Sequence, residues 1–318
     1  FTFTFTFTFT FTFTFTFTGV SVMPTRREFL TASAAAVALS SMTTTTFADE
    51  GKSPNSLCVF TKPFNSLTAD QLGAKIAELG FNGIEAPIRA GGHIEPDAVP
   101  DQLPKFVETL RKHNVDITVM TTDINDPNDP QTEKVLRTAA KAGLRFYRMK
   151  YFKYDENQSI TGQIDAWHSQ LKDLAAMNRE LGVTGLYQNH AGRNYFGAPI
   201  WDLHRGLDGI DPAHLGMAYD IRHATVEAGM SWPIGFHLMR PHIQVVYVKD
   251  FVWGETKSEN VPLGEGRVDS KFFKMLADSK FTGPISLHEE YLDHTKPELV
   301  PQHWNAITAD LKTLKSWL

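Results

Sequence analysis

Polar side chains that bind cations or transfer protons follow several short apolar segments in the C-terminal half of the chain. In LGMAYDIRHA, residues 215–224, the apolar run ends at Asp220, and His223 lies three residues later. Three segments of the same build are GLYQNHAG at Gly185, VVYVKDF at Val245 and ISLHEEY at Ile285. Each begins apolar and then offers carboxylate, amide, imidazole or ammonium groups. Such groups indicate metal binding or general acid–base chemistry.

Short apolar runs alternate with longer amphipathic ones from Leu57 onward, which is typical of βα units and a parallel sheet. The runs end about 25 to 40 residues apart, close to the length of one βα unit. This pattern predicts an α/β fold, a single (β/α)8 TIM barrel. The predicted strands are LCVFTK at Leu57, GIEAP at Gly83, DITVMTT at Asp116, LRFYRMK at Leu144, GLYQNH at Gly185, LGMAYD at Leu215, VVYVKD at Val245 and PISLHEE at Pro284.

Helix signals lie between the predicted strands. Thr68 is the predicted N-cap of the first helix, ADQLGAKIAEL, and Asp269 that of the helix SKFFKMLADS. The longest helix is predicted from about Thr161 to Leu181, and the last one is WNAITADLKTLKSWL. These helices would cover the outside of the barrel.

Side-chain alternation predicts which groups at the strand ends share the inner face. If Asp220 points inward, its companions are Gln188, His190, Tyr247, Lys249, His288 and Glu290. A structural alternative for Asp220 and Lys249 is a buried ion pair, and a single histidine is often a hydrogen-bonded core residue. Because burying so many polar groups without a ligand is costly, their convergence favours a functional site.

The N-terminal region carries two segments that we separate from the fold. Residues 1–22 contain a Phe-Thr repeat and are predicted to lie outside the native structure. Residues 23–48 resemble a twin-arginine signal peptide, with the motif TRREFL at Thr25 and a cleavage site after Ala48. The sequence thus predicts recognition by the twin-arginine translocation machinery and a periplasmic or secreted protein with its barrel in 49–318. The apolar part is too short for a stable membrane anchor.

Composition argues against some classes of partner. The formal net charge is −5, and removal of residues 1–48, which carry a net +1, makes it −6. Nucleic-acid binding depends on clustered Lys and Arg, so no nucleic-acid partner is expected. The single cysteine, Cys58, allows no internal disulfide and no cysteine-based zinc site.

These motifs resemble the sugar phosphate isomerase/epimerase group of xylose-isomerase-like TIM barrels over Asn55 to Leu318. GFNGIEAPIR is similar to the second strand of that family, and PLGEGRVD to its Gly-Glu-Gly loop. YQNHAG resembles the Glu-Asn-His motif of strand five, YDIRHA the Asp-x-x-His of strand six, VYVKD the His-x-Lys-Asp of strand seven, and PISLHEEY the last strand, which ends in Glu.

The resemblance implies a cation site. Metal-dependent epimerases of this family hold their cation with Glu, Asp, His and Glu on strands five to eight. The corresponding positions here are Gln188, Asp220, Tyr247 and His288. The resemblance therefore implies Asp220, Gln188 and His288 as ligands of a divalent cation such as Mn, Mg, Zn or Co, and His190, His223 and Glu290 as replacement ligands.

The resemblance also implies a reaction, which begins with removal of the proton next to a carbonyl of a sugar or keto-sugar. Glu290 or His190 is the predicted base, and Lys249 stabilises the developing oxyanion. His223 is a further predicted catalytic residue, and the predicted substrate-binding residues are Glu85, Lys150 and Trp253.

Several functions share that chemistry or that fold. Isomerisation, epimerisation and β-elimination of a keto-glycoside begin with the same proton abstraction, so a keto-glycoside lyase or hydrolase is one alternative. A non-catalytic carbohydrate-binding protein with a degenerate metal site is another. The related AP endonucleases fit poorly because the chain is acidic and carries an export motif.

Overall fold

The computed structural model describes residues 54–318, and the Phe-Thr segment and the export motif lie outside these residues. Eight parallel strands form a closed barrel, which confirms the predicted (β/α)8 TIM-barrel fold. The strands of the barrel are β1 (Leu57–Phe60), β2 (Gly83–Pro87), β3 (Asp116–Thr121), β4 (Phe146–Arg148), β5 (Thr184–Gln188), β6 (Leu215–Asp220), β7 (Ile243–Val248) and β10 (Ile285–Leu287).

The strands follow one another around the barrel in chain order, and β10 pairs with both β7 and β1 to close it. The register pairs Gln188 with Ala218 and Asp220 with Tyr247. Since all eight strands are parallel, their carboxyl ends meet at one end of the barrel. The polar residues that follow the strands are thereby gathered there.

An antiparallel hairpin extends the connection after β7. It consists of β8 (Asp250–Trp253) and β9 (Ser258–Val261). The Asp250 carboxylate accepts hydrogen bonds from the backbone N–H groups of Gly264, Gly266 and Val268. These bonds hold the Gly-Glu-Gly loop against the start of the hairpin.

Helices connect the strands and cover the barrel. They are α1 (Ala69–Glu78), α2 (Val99–Arg111), α3 (Pro130–Lys141), α4 (Ile160–Leu181), α5 (Trp201–Gly206), α6 (Ile221–Ala228), α7 (Trp232–Met239), α8 (Lys271–Asp278) and α9 (Val300–Trp317).

The predicted helix starts are correct in one case and wrong in another. Thr68 caps α1 through a capping box with Gln71. Asp269 is not the N-cap of α8, because the helix begins at Lys271 and Ser270 holds the cap position. The Asp269 carboxylate still accepts a hydrogen bond from the Lys271 N–H. Asp269 therefore satisfies one free N–H of the first turn, although it lies one residue before the cap position.

Two apolar layers hold the fold together. The barrel interior is filled by Val119, Leu186, Ala218, Val245 and Tyr247. A larger layer, which includes Leu72, Ile76 and Phe272, packs between strands and helices. Burial of these side chains supplies most of the driving force for folding. No helix within residues 54–318 combines the length and apolarity needed to cross a bilayer.

Candidate active site

A cavity of about 150 Å³ opens at the carboxyl ends of the strands. Side chains from or directly after β1, β2, β4, β5, β7 and β10 reach it, and all of them except Tyr151 continue the inward-facing alternation of these strands. The lining residues are Phe60, Lys62, Glu85, Arg89, Arg148, Tyr151, Gln188, His190, Lys249, His288 and Glu290. The cavity thus carries acids, bases and aromatic rings together, as binding sites for polar small molecules do.

A buried ammonium lies between two carboxylates at one side of this cavity. Lys249 Nζ lies 2.6 Å from Glu290 Oε2 and 3.3 Å from Asp220 Oδ2. The Lys249 side chain is 6% exposed and Glu290 24%, whereas Asp220 is completely buried. An ammonium has three N–H donors, of which the hydrogen bond to Glu290 uses one and the ion pair with Asp220 at most another. One donor of Lys249 is therefore left for a ligand in the cavity.

The electrostatics of this triad keep Lys249 and Glu290 charged. Burial opposes the charge on Lys249, but Asp220 and Glu290 raise the pKa of its ammonium above the ordinary value. Burial likewise opposes the charge on Glu290, whereas Lys249 and His288 lower the pKa of its carboxyl far below the ordinary value. At neutral pH the cavity therefore presents a fixed positive charge at Lys249 and a weakly basic carboxylate at Glu290.

Gln188 links Asp220 to the aromatic residue Tyr151. Its Nε2 donates to Asp220 Oδ2 at 2.8 Å, and its Oε1 accepts from the Tyr151 hydroxyl at 2.6 Å. A carboxylate without a proton only accepts hydrogen bonds, so the amide must turn its NH₂ toward Asp220. The carbonyl oxygen of Gln188 is thereby used by Tyr151.

His190 has the features of a general base. Its Nδ1 lies 2.8 Å from the Ala191 carbonyl oxygen, which only accepts hydrogen bonds, so Nδ1 carries the proton. Burial and the charge of Lys249 lower the pKa of His190 to about 4. The imidazole is therefore neutral near pH 7, and its Nε2 has a free lone pair.

His223 lies next to His190 and contacts Asp220. The two rings have their centroids 4.1 Å apart, and His223 Nε2 lies 3.5 Å from Asp220 Oδ2. Its backbone N–H donates to Asp220 Oδ1, since Asp220 is the N-cap of α6. Burial first, and then the charge of Lys249, keep the pKa of His223 well below its usual range. His223 does not line the cavity and supports the residues that do.

Glu85 is the centre of a second polar cluster. Its carboxylate accepts hydrogen bonds from the Thr121 and Ser286 hydroxyls at 2.6 and 2.9 Å. His288 Nε2 lies 2.8 Å from Oε2, and Arg148 Nε 4.0 Å from Oε1. Burial opposes ionisation, but His288 and Arg148 lower the pKa of Glu85. These contacts link β2 to β3, β4 and β10, so Glu85 is engaged by the protein itself.

The expected metal ligands do not fit a divalent cation. Metal ligands must direct lone pairs at one point, yet Gln188 directs its NH₂ at Asp220 and His288 is bound to Glu85. The charged group beside Asp220 is the ammonium of Lys249. Residues 54–318 contain no group of three or more His, Cys, Asp or Glu side chains arranged to hold a metal ion. The site implied by the resemblance is therefore not formed, because Lys249 supplies the positive charge.

Most of the residues predicted from the sequence lie together in this structure. Glu85, Gln188, His190, Lys249, His288 and Glu290 line the cavity, and Asp220 and His223 lie directly behind it. Two predicted substrate-binding residues lie apart from it. Lys150 is exposed and does not line the cavity, and Trp253, at the end of β8, is 56% exposed.

Five lining residues are absent from the predicted site residues: Phe60, Lys62, Arg89, Arg148 and Tyr151. Arg89 lies two and four residues after Pro87 and Glu85, so the alternation of β2 could have indicated it. Tyr151 follows β4 in a connection without regular periodicity, and Phe60 appears in the sequence as an ordinary core residue. No sequence signal pointed to these last two.

Solved structures show the same architecture. The 3-keto-D-glucoside 4-epimerase from E. coli is 15% identical, with a TM-score of 0.63 over 81% of this chain and 99% of that chain. The D-psicose 3-epimerase from Clostridium cellulolyticum H10 is 12% identical, with a TM-score of 0.63 over 81% and 97% of the two chains. The probable 3-DHS dehydratase from Bacillus anthracis is 14% identical, with a TM-score of 0.63 over 81% and 98%. At these identities the similarity establishes the fold.

Sequence comparison identifies the family more directly. No curated protein matches the chain significantly. The family model described as xylose isomerase-like TIM barrel matches residues 74–315, which is most of the region that the structure describes. Together with the closed barrel and the polar cluster at the strand ends, this match shows that the chain belongs to the xylose isomerase-like TIM barrel family.

Proposed function

We propose that this protein is a sugar isomerase or epimerase that removes the proton next to a carbonyl group of a sugar or keto-sugar. The observation that carries the proposal is the Lys249 ammonium, which is held by Asp220 and Glu290 in a cavity that also contains neutral His190. Family membership supports it, as does the similarity in fold to epimerases that act on 3-keto-D-glucosides and D-psicose.

The proposed first step uses the two groups that face the cavity with free capacity. The substrate carbonyl oxygen accepts the remaining N–H of Lys249. The neighbouring C–H bond breaks, its proton moves to Nε2 of His190, and its electron pair forms an enediolate whose oxygen carries the negative charge. A fixed ammonium stabilises that charge where it develops, without reorganisation of solvent.

His190 is a better candidate for the base than Glu290. The Glu290 carboxylate is hydrogen-bonded to Lys249, and its lowered pKa makes it a weak acceptor of protons. In the proposed mechanism Glu290 positions the ammonium, and Asp220 together with Gln188 fixes it from the other side. Because the donor set does not fit a divalent cation, no step is assigned to a metal.

The fate of the enediolate determines the product. Protonation of the same carbon from the opposite face, by a second proton donor, inverts the stereocentre. Protonation of the former carbonyl carbon, together with transfer of the neighbouring hydroxyl proton to the former carbonyl oxygen, isomerises the sugar. If a good leaving group lies β to the carbonyl, its departure gives elimination, which is the lyase alternative. Aromatic rings at Phe60 and Tyr151 line the cavity and would pack against the apolar C–H face of a sugar ring.

Deuterium exchange tests the first step independently of the product. The protein is incubated in D₂O with D-fructose, D-tagatose or a 3-keto-D-glucoside, and loss of the C–H signal is followed by NMR. We expect exchange with the wild type and its loss in His190→Asn. The matched control is Lys112→Gln, at an exposed residue that follows α2, pairs with Glu108 and does not line the cavity. Sugar binding without exchange would contradict the enzyme and favour the carbohydrate-binding alternative.

We further propose that the mature protein is exported by the twin-arginine pathway to the periplasm or beyond. The motif TRREFL at Thr25 and the short apolar stretch that follows support this proposal. N-terminal sequencing of protein from a bacterial host should give a start near Asp49. A mature protein that retains residues 23–48 in the cytoplasm would contradict it.

A further inference from the structure

Two cavities meet at the mouth of the barrel. Beside the inner cavity of about 150 Å³ lies an outer one of about 410 Å³, formed by the segments after β1, β2 and β10. Lys62 and Arg89 are the two residues that line both. A ligand that extends from the inner cavity into the outer one would therefore lie against these two cations.

The two cations differ from the others of the inner cavity because neither forms an ion pair within 4 Å with a residue that the structure describes. Arg148 lies near Glu85, and Lys249 contacts Asp220 and Glu290. Among residues 54–318, no ion pair or hydrogen bond of the Lys62 or Arg89 side chain is found, although both side chains are half-buried. Partly desolvated charges without a partner are unfavourable, and sites that bind oppositely charged ligands contain them.

The outer cavity adds no negative charge to offset them. Its lining contains Lys62, Arg89 and His294 but no Asp or Glu. Burial lowers the pKa of Lys62, and the charges of Arg89, Lys249 and Arg148 lower it further against an opposing effect of Glu290. Burial and then Arg148 also lower the pKa of Arg89. The mouth is thus locally positive in a chain whose net charge is −5.

We infer that the substrate is an acidic sugar whose carboxylate binds between Lys62 and Arg89 while its reacting carbonyl lies at Lys249. The position of the reacting carbonyl at Lys249 rests on the proposed function. The anion-binding half depends only on the two unpaired cations at the junction of the cavities. A carboxylate there would accept charge-assisted hydrogen bonds from both side chains.

A carboxylate fits this position better than a phosphate. Phosphate sites add several backbone N–H donors to their cations. In the loop after β2 these donors are already used: Ala90 N–H donates to Asp123, Gly91 N–H to Glu95 and Gly92 N–H to the carbonyl of Arg89. Two side-chain cations match the two oxygens of a carboxylate and leave a phosphate with an unsatisfied oxygen.

Calorimetric titration with D-glucuronate, D-glucose and D-glucose 6-phosphate tests the inference on the full protein. We expect D-glucuronate to bind at least about tenfold more tightly than either of the others. Lys62→Gln and Arg89→Gln should each weaken D-glucuronate binding by about tenfold or more, and should weaken D-glucose binding by clearly less. Lys112→Gln, which removes one exposed charge elsewhere, should bind D-glucuronate as the wild type does.

Each other outcome overturns the inference. Equal affinity for the three sugars, no binding of D-glucuronate, or unchanged binding in the Lys62 and Arg89 variants would show that no carboxylate site exists. Preference for the phosphate would replace the carboxylate assignment. Binding of D-glucuronate at Lys62 and Arg89 without deuterium exchange into any keto-sugar would leave this inference standing and remove the proposed function. If deuterium exchange proceeds at the same rate in the wild type and both variants, and with or without a carboxylate on the substrate, the proposed function stands and this inference fails.

Discussion

Glu85 and Asp220 are both fully buried carboxylates on barrel strands, yet their surroundings differ. The partners of Glu85 are two hydroxyls, His288 and Arg148, and they come from other strands of the barrel. Asp220 is bound by Gln188, His223 and Lys249, and Lys249 retains one N–H toward the cavity. The first cluster fastens strands to one another, whereas the second holds a charge ready for a ligand.

The comparison teaches that burial of a charge does not by itself identify a catalytic group. What distinguishes the two clusters is whether hydrogen-bonding capacity remains after the protein has satisfied its own groups. On that criterion Lys249 and His190 are available for chemistry, and Glu85 serves stability. The predictions below separate these two roles.

The largest expected effect is on stability, from Glu85→Ala. Removing this carboxylate leaves the buried Arg148 without its counterion and His288 without its hydrogen-bond partner, so the free energy of unfolding should fall by about 3–5 kcal/mol. Urea unfolding measures the change. Glu290→Ala, at a partly exposed carboxylate, should cost clearly less. The assignment of roles would be reversed if Glu290→Ala were the more destabilising of the two.

The next effect is on turnover, from Lys249→Met. This change removes the ammonium that we assign to the developing oxyanion, so kcat should fall by about 10²–10³-fold, as for the loss of one oxyanion donor. Steady-state kinetics on a sugar that shows solvent exchange measures it, with folding checked by circular dichroism. Lys112→Gln is the control. A folded Lys249→Met variant with wild-type kcat would contradict the proposed mechanism.

As the pH falls, the residues around Asp220 should lose their contribution to the free energy of unfolding before the residues around Glu85 do. Folded His223 stays neutral, whereas in the unfolded chain it takes up a proton below about pH 6.5. The unfolded state thus binds more protons as the pH falls, and stability is lost, by on the order of 2 kcal/mol at pH 5. The lowered pKa of Glu85 costs stability only below its ordinary value of 4.5.

Urea unfolding at pH 7 and pH 5 measures this difference. His223→Gln, which does not titrate, should reduce it. Turnover should decline separately as the pH approaches about 4, where His190 becomes protonated and no longer accepts a proton. A stability difference that is identical in the wild type and His223→Gln would remove His223 as its cause.

The smallest expected effect is that of divalent cations. Because Lys249 supplies positive charge at Asp220, addition of Mn²⁺, Mg²⁺, Zn²⁺ or Co²⁺ should shift Tm by less than about 1 °C. Thermal unfolding with each cation and after dialysis against EDTA measures this. A large, saturable rise of Tm with one cation would mean that the cluster rearranges to bind it.

The sequence by itself determined the barrel and the group of polar residues at its carboxyl end. Both follow from local rules: the spacing of apolar runs specifies βα units, and alternation along each strand places Gln188, Lys249 and His288 on the inner face. The same alternation extends to Arg89, so that residue too was within reach of sequence analysis.

Only the tertiary structure decided how those groups divide their hydrogen bonds. The Gln188 amide donates to Asp220, His288 is hydrogen-bonded to Glu85, and Lys249 contacts Asp220. Each of these contacts joins residues that are far apart in the sequence. Tyr151 reaches the cavity from a connecting segment, whereas Lys150 and Trp253 do not line it. The sequence could not predict this difference, because the path of a loop has no periodicity that a pattern could reveal.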